Sequence, residues 1–156
     1  MGILTDEMIK AIPAIRLCFV ATVSPDGKPN LSAKGSLCVW DDDHLLFADI
    51  ASPQTMNNIA SNPYVEINTV DQIGRRGFRF KGVAEILREG EVFEFLVNDI
   101  HAREGTSVPV RAAVKVRVLE ARQLLSPAYF LTKGITEAQV RSVWMARYGY
   151  RPVDEA

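Results

Sequence analysis

The order of apolar and polar residues divides the chain into short segments, most of which have the period of β-strands. Residues 17–23, LCFVATV, form a continuous apolar and β-branched run that is typical of a strand buried on both faces. A Ser-Pro-Asp-Gly turn at 24–27 then returns the chain through a second predicted strand at 29–40, which forms a hairpin with the first. Three aspartates at 41–43 turn the chain again into a third strand, HLLFAD at 44–49.

Three further strands are predicted in the second half of the chain. The fourth is YVEINTV at 64–70, and the fifth is FRFKGVAEIL at 78–87, where apolar residues alternate with charged ones. The sixth runs through Val114, Val116 and Val118, which alternate with basic residues. Each of these strands therefore has one face suited to a core and one suited to solvent.

Four helices are predicted from their caps and apolar faces. Thr5 begins a short helix at 4–12, and Ser52 followed by Pro53 begins one at 53–61 that stops at an Asn-Pro pair. A broad apolar face marks a helix at 91–102. Thr136, with Gln three residues later as a capping box, begins the last helix. Strands joined mainly as hairpins, with peripheral helices, predict a mainly β fold built as a small antiparallel barrel.

Composition narrows the class of protein. A chain of 156 residues is most simply one domain, 1–156. Its net charge of −1 lacks the basic surplus typical of proteins that bind nucleic acid or anionic lipid. No apolar stretch approaches the roughly 18 residues of a membrane span, and no secretory leader is evident. Cys18 and Cys38 form no CxxC pair, so the chain is expected to be cytoplasmic, with both thiols reduced and buried.

The sequence contains no recognisable self-sufficient catalytic motif. His44 and His101 have no cysteine or carboxylate partner at the spacing of metal ligands, so no metal site is predicted. Motifs of serine hydrolases, P-loops and dinucleotide-binding turns are also missing. No catalytic residue can therefore be named, and any catalysis is expected to depend on a cofactor.

Three polar stretches stand out against this background. They are Ser32–Ser36 with its lysine and glycine, the helix start at Ser52, and Gly74–Gly77 with its two arginines. Taken singly, each has a plain structural explanation as an edge strand, a helix cap or a solvated loop. Together they supply cations, hydroxyls and the free N–H groups of a helix N-terminus, which are the groups that bind a phosphate.

The order of these pieces resembles a known family. The strand ATV-x-PDG-x-P, the strand-to-helix S-P-x-T-x-x-N, the N-P stop and the late R-F-K-G-x-A are similar to the pyridoxamine 5'-phosphate oxidase-like, FMN-binding split-barrel proteins. The resemblance is good over residues 15–90. The tail, SPAYFLTKGITEAQVRSVW, is similar to that of a short bacterial subgroup.

This resemblance implies a six-stranded antiparallel split barrel that forms a homodimer, with FMN in the groove between the subunits. It assigns one strand to the flavin and its ribityl chain, a neighbouring strand to the ring, a helix start to the phosphate, and a loop that reaches the cofactor across the interface. In that order, the implied cofactor-binding residues are Lys34, Gly35 and Ser36; Phe47, Ala48 and Asp49; Ser52, Gln54, Thr55 and Asn58; and Arg75 and Arg76.

Two departures from the family pattern bear on function. Gln54 stands where the family usually has Lys or Arg, and loss of one charge-assisted bond weakens affinity roughly ten- to a hundredfold. The chain also lacks the longer, arginine-rich C-terminal segment expected of true pyridoxamine 5'-phosphate oxidases. The leading hypothesis is therefore an FMN-dependent oxidoreductase acting on another small molecule.

Two other functions remain open from the sequence. A non-enzymatic flavin protein, acting as an electron carrier, flavin store or redox sensor, would have the same cofactor site. A small barrel that stacks nucleic-acid bases on Trp40, Phe47, Phe78 and Phe80 belongs to another class. The near-neutral charge and the core-like alternation of those aromatic residues argue against nucleic acid.

Overall fold

The computed structural model describes residues 2–151, which form seven strands and five helices. The strands are β1 Cys18–Val23, β2 Pro29–Lys34, β3 Cys38–Asp41, β4 His44–Asp49, β5 Tyr64–Asp71, β6 Arg76–Leu87 and β7 Ala112–Leu125. The helices are α1 Asp6–Ala11, α2 Pro53–Ser61, α3 Glu91–Glu104, α4 Ala128–Leu131 and α5 Glu137–Arg147. No helix within 2–151 is long and apolar enough to cross a membrane.

All seven strands belong to one antiparallel sheet with the order β2-β1-β5-β6-β7-β4-β3. The predicted single strand at 29–40 is therefore wrong, because it is two strands that lie at opposite edges of the sheet. Gly35, Ser36 and Leu37 interrupt the extended run between them. Gly35 is flexible and Ser36 is polar, so the pairing with β1 ends there and the chain leaves that edge of the sheet.

This short connection forces the sheet to curl. Four residue steps separate Lys34 at the end of β2 from Cys38 at the start of β3, and extended chain covers at most about 14 Å in that number of steps. The two edges must therefore approach each other although five strands separate them in the sheet order. The predicted mainly β split barrel with peripheral helices is confirmed, with seven strands instead of six and an open seam between β2 and β3.

Two apolar clusters hold this barrel together. The larger one fills its interior and contains Phe47, Phe78 and Phe80, each at most 1% exposed. The smaller one packs α3 on the outer face of β4 and β7 through Leu46, Leu96 and other side chains. Three of the four aromatic residues considered for base stacking are thus inside the protein, while Trp40 packs edge-on against Phe95 with ring centres 5.1 Å apart.

Strand β1 differs from its prediction. Cys18, Val20 and Thr22 point into the core, but Phe19 and Ala21 on the other face are only half-buried. The continuous apolar run therefore does not reflect burial on both faces within one chain, because β1 has α2 and the core on one side only.

The C-terminal segment 126–151 lies against the turn between β5 and β6. The predicted capping box at the start of α5 is confirmed, because the Thr136 and Gln139 side chains each accept a backbone N–H from the other residue. Only Val140 of α5 is buried. Two ion pairs also join this segment to the β5–β6 region, Arg141 with Asp71 and Glu137 with Arg76, the second at 2.7 Å.

Candidate functional site

A groove of about 460 Å³ opens at the seam of the barrel. It lies where the end of β2, the connection to β3, the end of β4, the start of α2 and the C-terminal end of α3 meet. Its size is within the range of small-molecule binding sites. The lining residues are Ser32, Ala33, Lys34, Gly35, Ser36, Ala48, Ile50, Ala51, Ser52, Ile100, Arg103, Glu104 and Val108.

Lys34 is a cation on the β2 side of this groove. Its Nζ donates a hydrogen bond to Ser52 Oγ at 2.5 Å and lies 5.8 Å from the centre of the Phe47 ring. Partial burial lowers the pKa of the Lys34 ammonium below its usual range, while the Asp49 carboxylate opposes that shift. The side chain is thus a charged donor already held in place at the groove wall.

The start of α2 provides free backbone donors beside Lys34. Ser52 occupies the N-cap position and Pro53 follows in the first turn, as predicted, but the Ser52 side chain makes no capping hydrogen bond. It bonds to Lys34 and donates to Asp49 Oδ1 at 3.0 Å. Within residues 2–151, the backbone N–H groups of Gln54 and Thr55 have no hydrogen-bond acceptor. This end of α2 therefore keeps the donors that can bind an anion.

The strand β4 forms the back of the groove. Ala48 lines it, and its N–H donates to Ser36 Oγ at 2.9 Å, which ties β4 to the β2–β3 connection. Asp49 is 8% exposed and accepts hydrogen bonds from both the N–H and the hydroxyl of Ser52. Phe47 is fully buried behind the wall. Asp49 and Phe47 therefore support Lys34 and Ser52 and are not groove-lining residues themselves.

The polar side chains of α2 form a buried network. Gln54 Nε2 donates to Asn58 Oδ1 at 2.8 Å, and Asn58 Nδ2 donates to Thr22 Oγ1 at 3.0 Å. Asn30 bridges Thr22 and Thr55, at 3.1 and 3.3 Å. Asn58 and Thr55 are 0% and 1% exposed. Within one chain, these side chains anchor α2 to the β1–β2 hairpin and do not face the groove.

Replacing Asn58 with alanine is expected to destabilise the fold by about 1–3 kcal/mol, because buried partners of the lost amide are left with fewer hydrogen bonds. Urea unfolding followed by circular dichroism measures this change. Asn57→Ala is the matched control, since Asn57 is the exposed neighbour in the same helix. Equal stability of the two variants would show that the network contributes nothing.

Arg75 and Arg76 lie elsewhere in the same chain. Arg76 pairs with Glu7 and Glu137, and Arg75 lies over the Trp144 ring. Arg76 lines a separate cavity of about 600 Å³ between the segment after α1, the β5–β6 turn and α5. Neither arginine lines the groove that contains Lys34.

The C-terminal end of α3 forms a groove wall that the sequence did not reveal. Ile100, Arg103 and Glu104 line it, and Arg103 pairs with Asp99 at 2.7 Å. These residues lie in or just beyond the predicted helix at 91–102, but their relation to Lys34 depends on how α3 packs on β4. Only the apolar face of α3 hinted at that packing.

The two histidines and two cysteines do not line the groove. His44 Nδ1 lies 2.7 Å from Asp41 Oδ1, and His101 Nε2 lies 3.0 Å from the Val108 carbonyl. Among residues 2–151, no group of three His, Cys, Asp or Glu side chains is placed to hold a metal ion. Burial raises the pKa of both thiols to about 12, and Cys18 is buried while Cys38 is half-buried. Neither thiol is thus a reactive thiolate near neutral pH.

Solved structures share this fold. The crystal structure of HupZ from Group A Streptococcus is 35% identical with a TM-score of 0.70, and the match covers 79% of this chain and 95% of that one. An FMN-binding protein from Syntrophomonas wolfei matches at 16% identity and TM-score 0.66, over 75% and 84% of the two chains. HutZ, the heme storage protein from Vibrio cholerae, matches at 17% identity and TM-score 0.59, over 80% and 95%.

The likeness to the second and third of these structures shows the fold alone, because their identities are low. The sequence itself identifies the family more directly. Residues 4–125 match the family described as pyridoxamine 5'-phosphate oxidase, which includes every strand of the sheet and the whole groove. The chain belongs to the pyridoxamine 5'-phosphate oxidase family.

Proposed function

We propose that this protein binds FMN in the groove at the barrel seam and acts as a flavin-dependent oxidoreductase on a small molecule. The observation that carries the proposal is the meeting of Lys34 with the open N-terminus of α2 at one end of the groove. The Lys34 ammonium and two backbone N–H groups that lack an acceptor among residues 2–151 would together bind a phosphate monoester.

The rest of the groove suits a flat, largely apolar body. Ala48, Ile50, Ala51, Ile100 and Val108 give its walls small or apolar side chains. Gly35 adds little bulk at the β2–β3 connection, where a Cβ would find its nearest neighbour 3.8 Å away. These residues would exclude water from one face of an isoalloxazine ring, while Ser32 and Ser36 lie in the same wall for polar contacts.

Two features limit the expected affinity. Asp49 lies beside Lys34 and Ser52, so its carboxylate partly balances the lysine charge. Gln54 is neutral and bonds to Asn58, so it adds no charge at the helix start. We therefore expect a flavin that is bound reversibly and is partly lost during purification.

The proposed assembly is a homodimer. Arg75 and Arg76 do not reach the groove of their own chain, so the cofactor contact assigned to them requires the second subunit. Large apolar side chains on β1 and β2 are exposed in the single chain, which also favours a subunit interface there. Among them, Leu31 is 66% exposed and Val23 is 39% exposed. A two-fold partner is the simplest cover for such a surface.

Bound FMN would supply the acceptance and release of hydride or electrons, and the protein would supply position and electrostatics. Among residues 2–151, the groove lining includes no histidine, cysteine or tyrosine. That composition offers no conventional axial ligand for haem, so we do not extend the haem-linked function of the Vibrio cholerae protein to this chain. An electron carrier or flavin store remains the second candidate, because the same groove would serve it.

The decisive experiment is a visible absorption spectrum of the purified protein, repeated after incubation with FMN and removal of the excess on a sizing column. We expect partial loss of flavin on this column, and a ratio near one per chain with a dimer-sized peak when the column buffer contains FMN. A dimer that retains no flavin even when the column buffer contains FMN would overturn the proposal.

Turnover separates the two candidate functions. Reduced nicotinamide is added to the FMN-loaded protein and its oxidation is followed with an artificial electron acceptor. Steady-state turnover above that of free FMN supports an oxidoreductase. Oxidation that is no faster than with free FMN supports a carrier or store.

A further inference from the structure

The corner of the groove formed by Lys34, Ser52 and the start of α2, termed the phosphate corner, already holds a negative charge of the chain itself. Asp49 is 8% exposed, so its carboxylate is largely removed from water. Its Oδ1 accepts hydrogen bonds from the N–H and the hydroxyl of Ser52, at 3.1 and 3.0 Å. A buried carboxylate needs such donors or a nearby cation to offset its lost hydration. Ser52 therefore helps to hold the Asp49 charge in place.

The Asp49 carboxylate is also coupled to the cation of the phosphate corner. Lys34 Nζ donates to Ser52 Oγ at 2.5 Å, and the same hydroxyl donates to Asp49. Burial lowers the pKa of the Lys34 ammonium, and the Asp49 carboxylate opposes that shift. Because Ser52 is the N-cap residue of α2, the carboxylate bonded to it also lies at the positive end of the helix dipole. In the free protein, the positive groups of this corner thus stabilise Asp49.

A bound phosphate would need the same groups. The proposed function places the ligand phosphate at Lys34 and at the backbone N–H groups of Gln54 and Thr55. A serine hydroxyl carries one hydrogen, so Ser52 cannot donate to Asp49 and to a phosphate at the same time. Two negative groups at one corner also repel each other, more strongly where water is partly excluded. Asp49 and the ligand phosphate are therefore rivals for the Ser52 hydroxyl and for the charge of Lys34.

We propose that Asp49 is an intrachain competitor of the ligand phosphate, which keeps the phosphate corner weak and lets the flavin exchange with solution. Entry of the phosphate would transfer the Ser52 hydroxyl from Asp49 to the ligand. The inference rests on the proposed function for the identity of the ligand. The competition itself applies to any phosphate monoester that enters this corner.

The alternative explanation gives Asp49 the opposite effect. In that case the carboxylate only holds Ser52 and the connection between β4 and α2 in the shape that binds phosphate. Loss of the negative charge would then weaken phosphate binding or leave it unchanged. The sign of the change in affinity therefore separates the two explanations.

The test is Asp49→Asn, which removes the charge and keeps an oxygen that can accept both hydrogen bonds from Ser52. Affinities for FMN and for riboflavin, which has the same ring without the phosphate, are measured by fluorescence quenching at constant ionic strength. We expect the variant to bind FMN roughly tenfold more tightly, with release slowed to match, and riboflavin as before. Most of this gain should disappear in a Lys34→Met background, because the contested charge is then missing.

Asp26→Asn is the matched control for net charge. Asp26 is an exposed carboxylate on the β1–β2 turn, paired with Lys28 at 2.6 Å, and it does not line the groove. We expect this variant to bind FMN with the affinity of the unmodified chain. Asp49→Ser is a second neutral variant at the test position and should shift the FMN affinity in the same direction as Asp49→Asn. It keeps the inference testable where the asparagine variant fails to fold.

Inorganic phosphate tests the competition without flavin. Phosphate should raise the thermal stability of Asp49→Asn at lower concentrations than it does for the unmodified chain, at constant ionic strength. This result together with no flavin binding in either protein would disprove the proposed function and leave the role of Asp49 intact.

Three results would overturn the inference. The first is weaker or equal binding of FMN and phosphate by Asp49→Asn, which would show that Asp49 supports the site. The second is an equal gain for riboflavin or in Asp26→Asn, which would show an effect unrelated to the phosphate corner. The third is no stabilisation by phosphate in either the unmodified chain or Asp49→Asn.

Discussion

Replacing Lys34 with methionine is expected to weaken FMN binding by roughly ten- to a hundredfold, which corresponds to the loss of one hydrogen bond to a charged group. Methionine keeps most of the apolar stem that passes near Phe47 and removes only the ammonium. The Ser52 hydroxyl and the free N–H groups of α2 remain in place. Fluorescence quenching of added FMN measures the affinity directly.

The pH dependence of binding gives a second readout. Affinity should rise as the flavin phosphate loses its second proton near pH 6. It should fall again as the pH rises through the pKa of Lys34, which burial places below that of an ordinary lysine. Lys34→Met should keep the acidic limb and lose the alkaline limb. Lys28→Ala is the control, because Lys28 is an exposed lysine on the β1–β2 turn. Unchanged affinity in Lys34→Met would remove Lys34 from the site.

The second large effect is expected from Gly77→Ala, which should destabilise the protein by about 3 kcal/mol or more. A Cβ at Gly77 would overlap the carbonyl oxygen of Thr69 on the neighbouring strand β5. No side-chain rotation relieves a clash with backbone, so β5 and β6 would have to separate locally. The clash would disturb the pairing next to Phe78 in the core.

Urea unfolding and expression as soluble protein both report this effect. Gly35→Ala is the matched control, because its Cβ would have its nearest neighbour at 3.8 Å and its backbone is not left-handed. We expect Gly35→Ala to retain the stability of the unmodified chain. Similar stability for the two variants would show that β5 and β6 can move apart at little cost.

Local patterns in the sequence predicted most of the secondary structure. The alternation of apolar and charged residues in FRFKGVAEIL predicted β6, and the pair Thr136 and Gln139 predicted the start of α5. Both patterns involve residues that are close together in the sequence, so they can be recognised without knowledge of the fold. The break between β2 and β3 was missed because Gly35 and Ser36 can also occur within an edge strand. The break becomes necessary only because β3 pairs with β4, at the opposite edge of the sheet from β2.

The candidate site was predictable where its residues act through the backbone or through charge. Ser52 before Pro53 marked a helix start, and Lys34 was the cation of an unusually polar stretch that also holds two serines and a glycine. The burial of Asn58 and Thr55 was not predictable, because a polar residue in an amphipathic helix gives no sign of the partner beneath it. The approach of Arg103 from α3 and of Trp144 to Arg75 joins segments distant in sequence, which no local pattern records.

The short connection between β2 and β3 links ligand binding to folding stability. The groove lies across the one place where the sheet is not closed by hydrogen bonds between strands, and its walls come from both sides of that opening. A ligand that contacts both Lys34 on β2 and the residues after β4 would connect the two sides of this opening. Ligand at a hundred times its Kd would add about 2.7 kcal/mol to the free energy of unfolding. Amide hydrogens along both edge strands would then exchange more slowly in the complex than in the free protein, whereas those in β5 and β6 would change least.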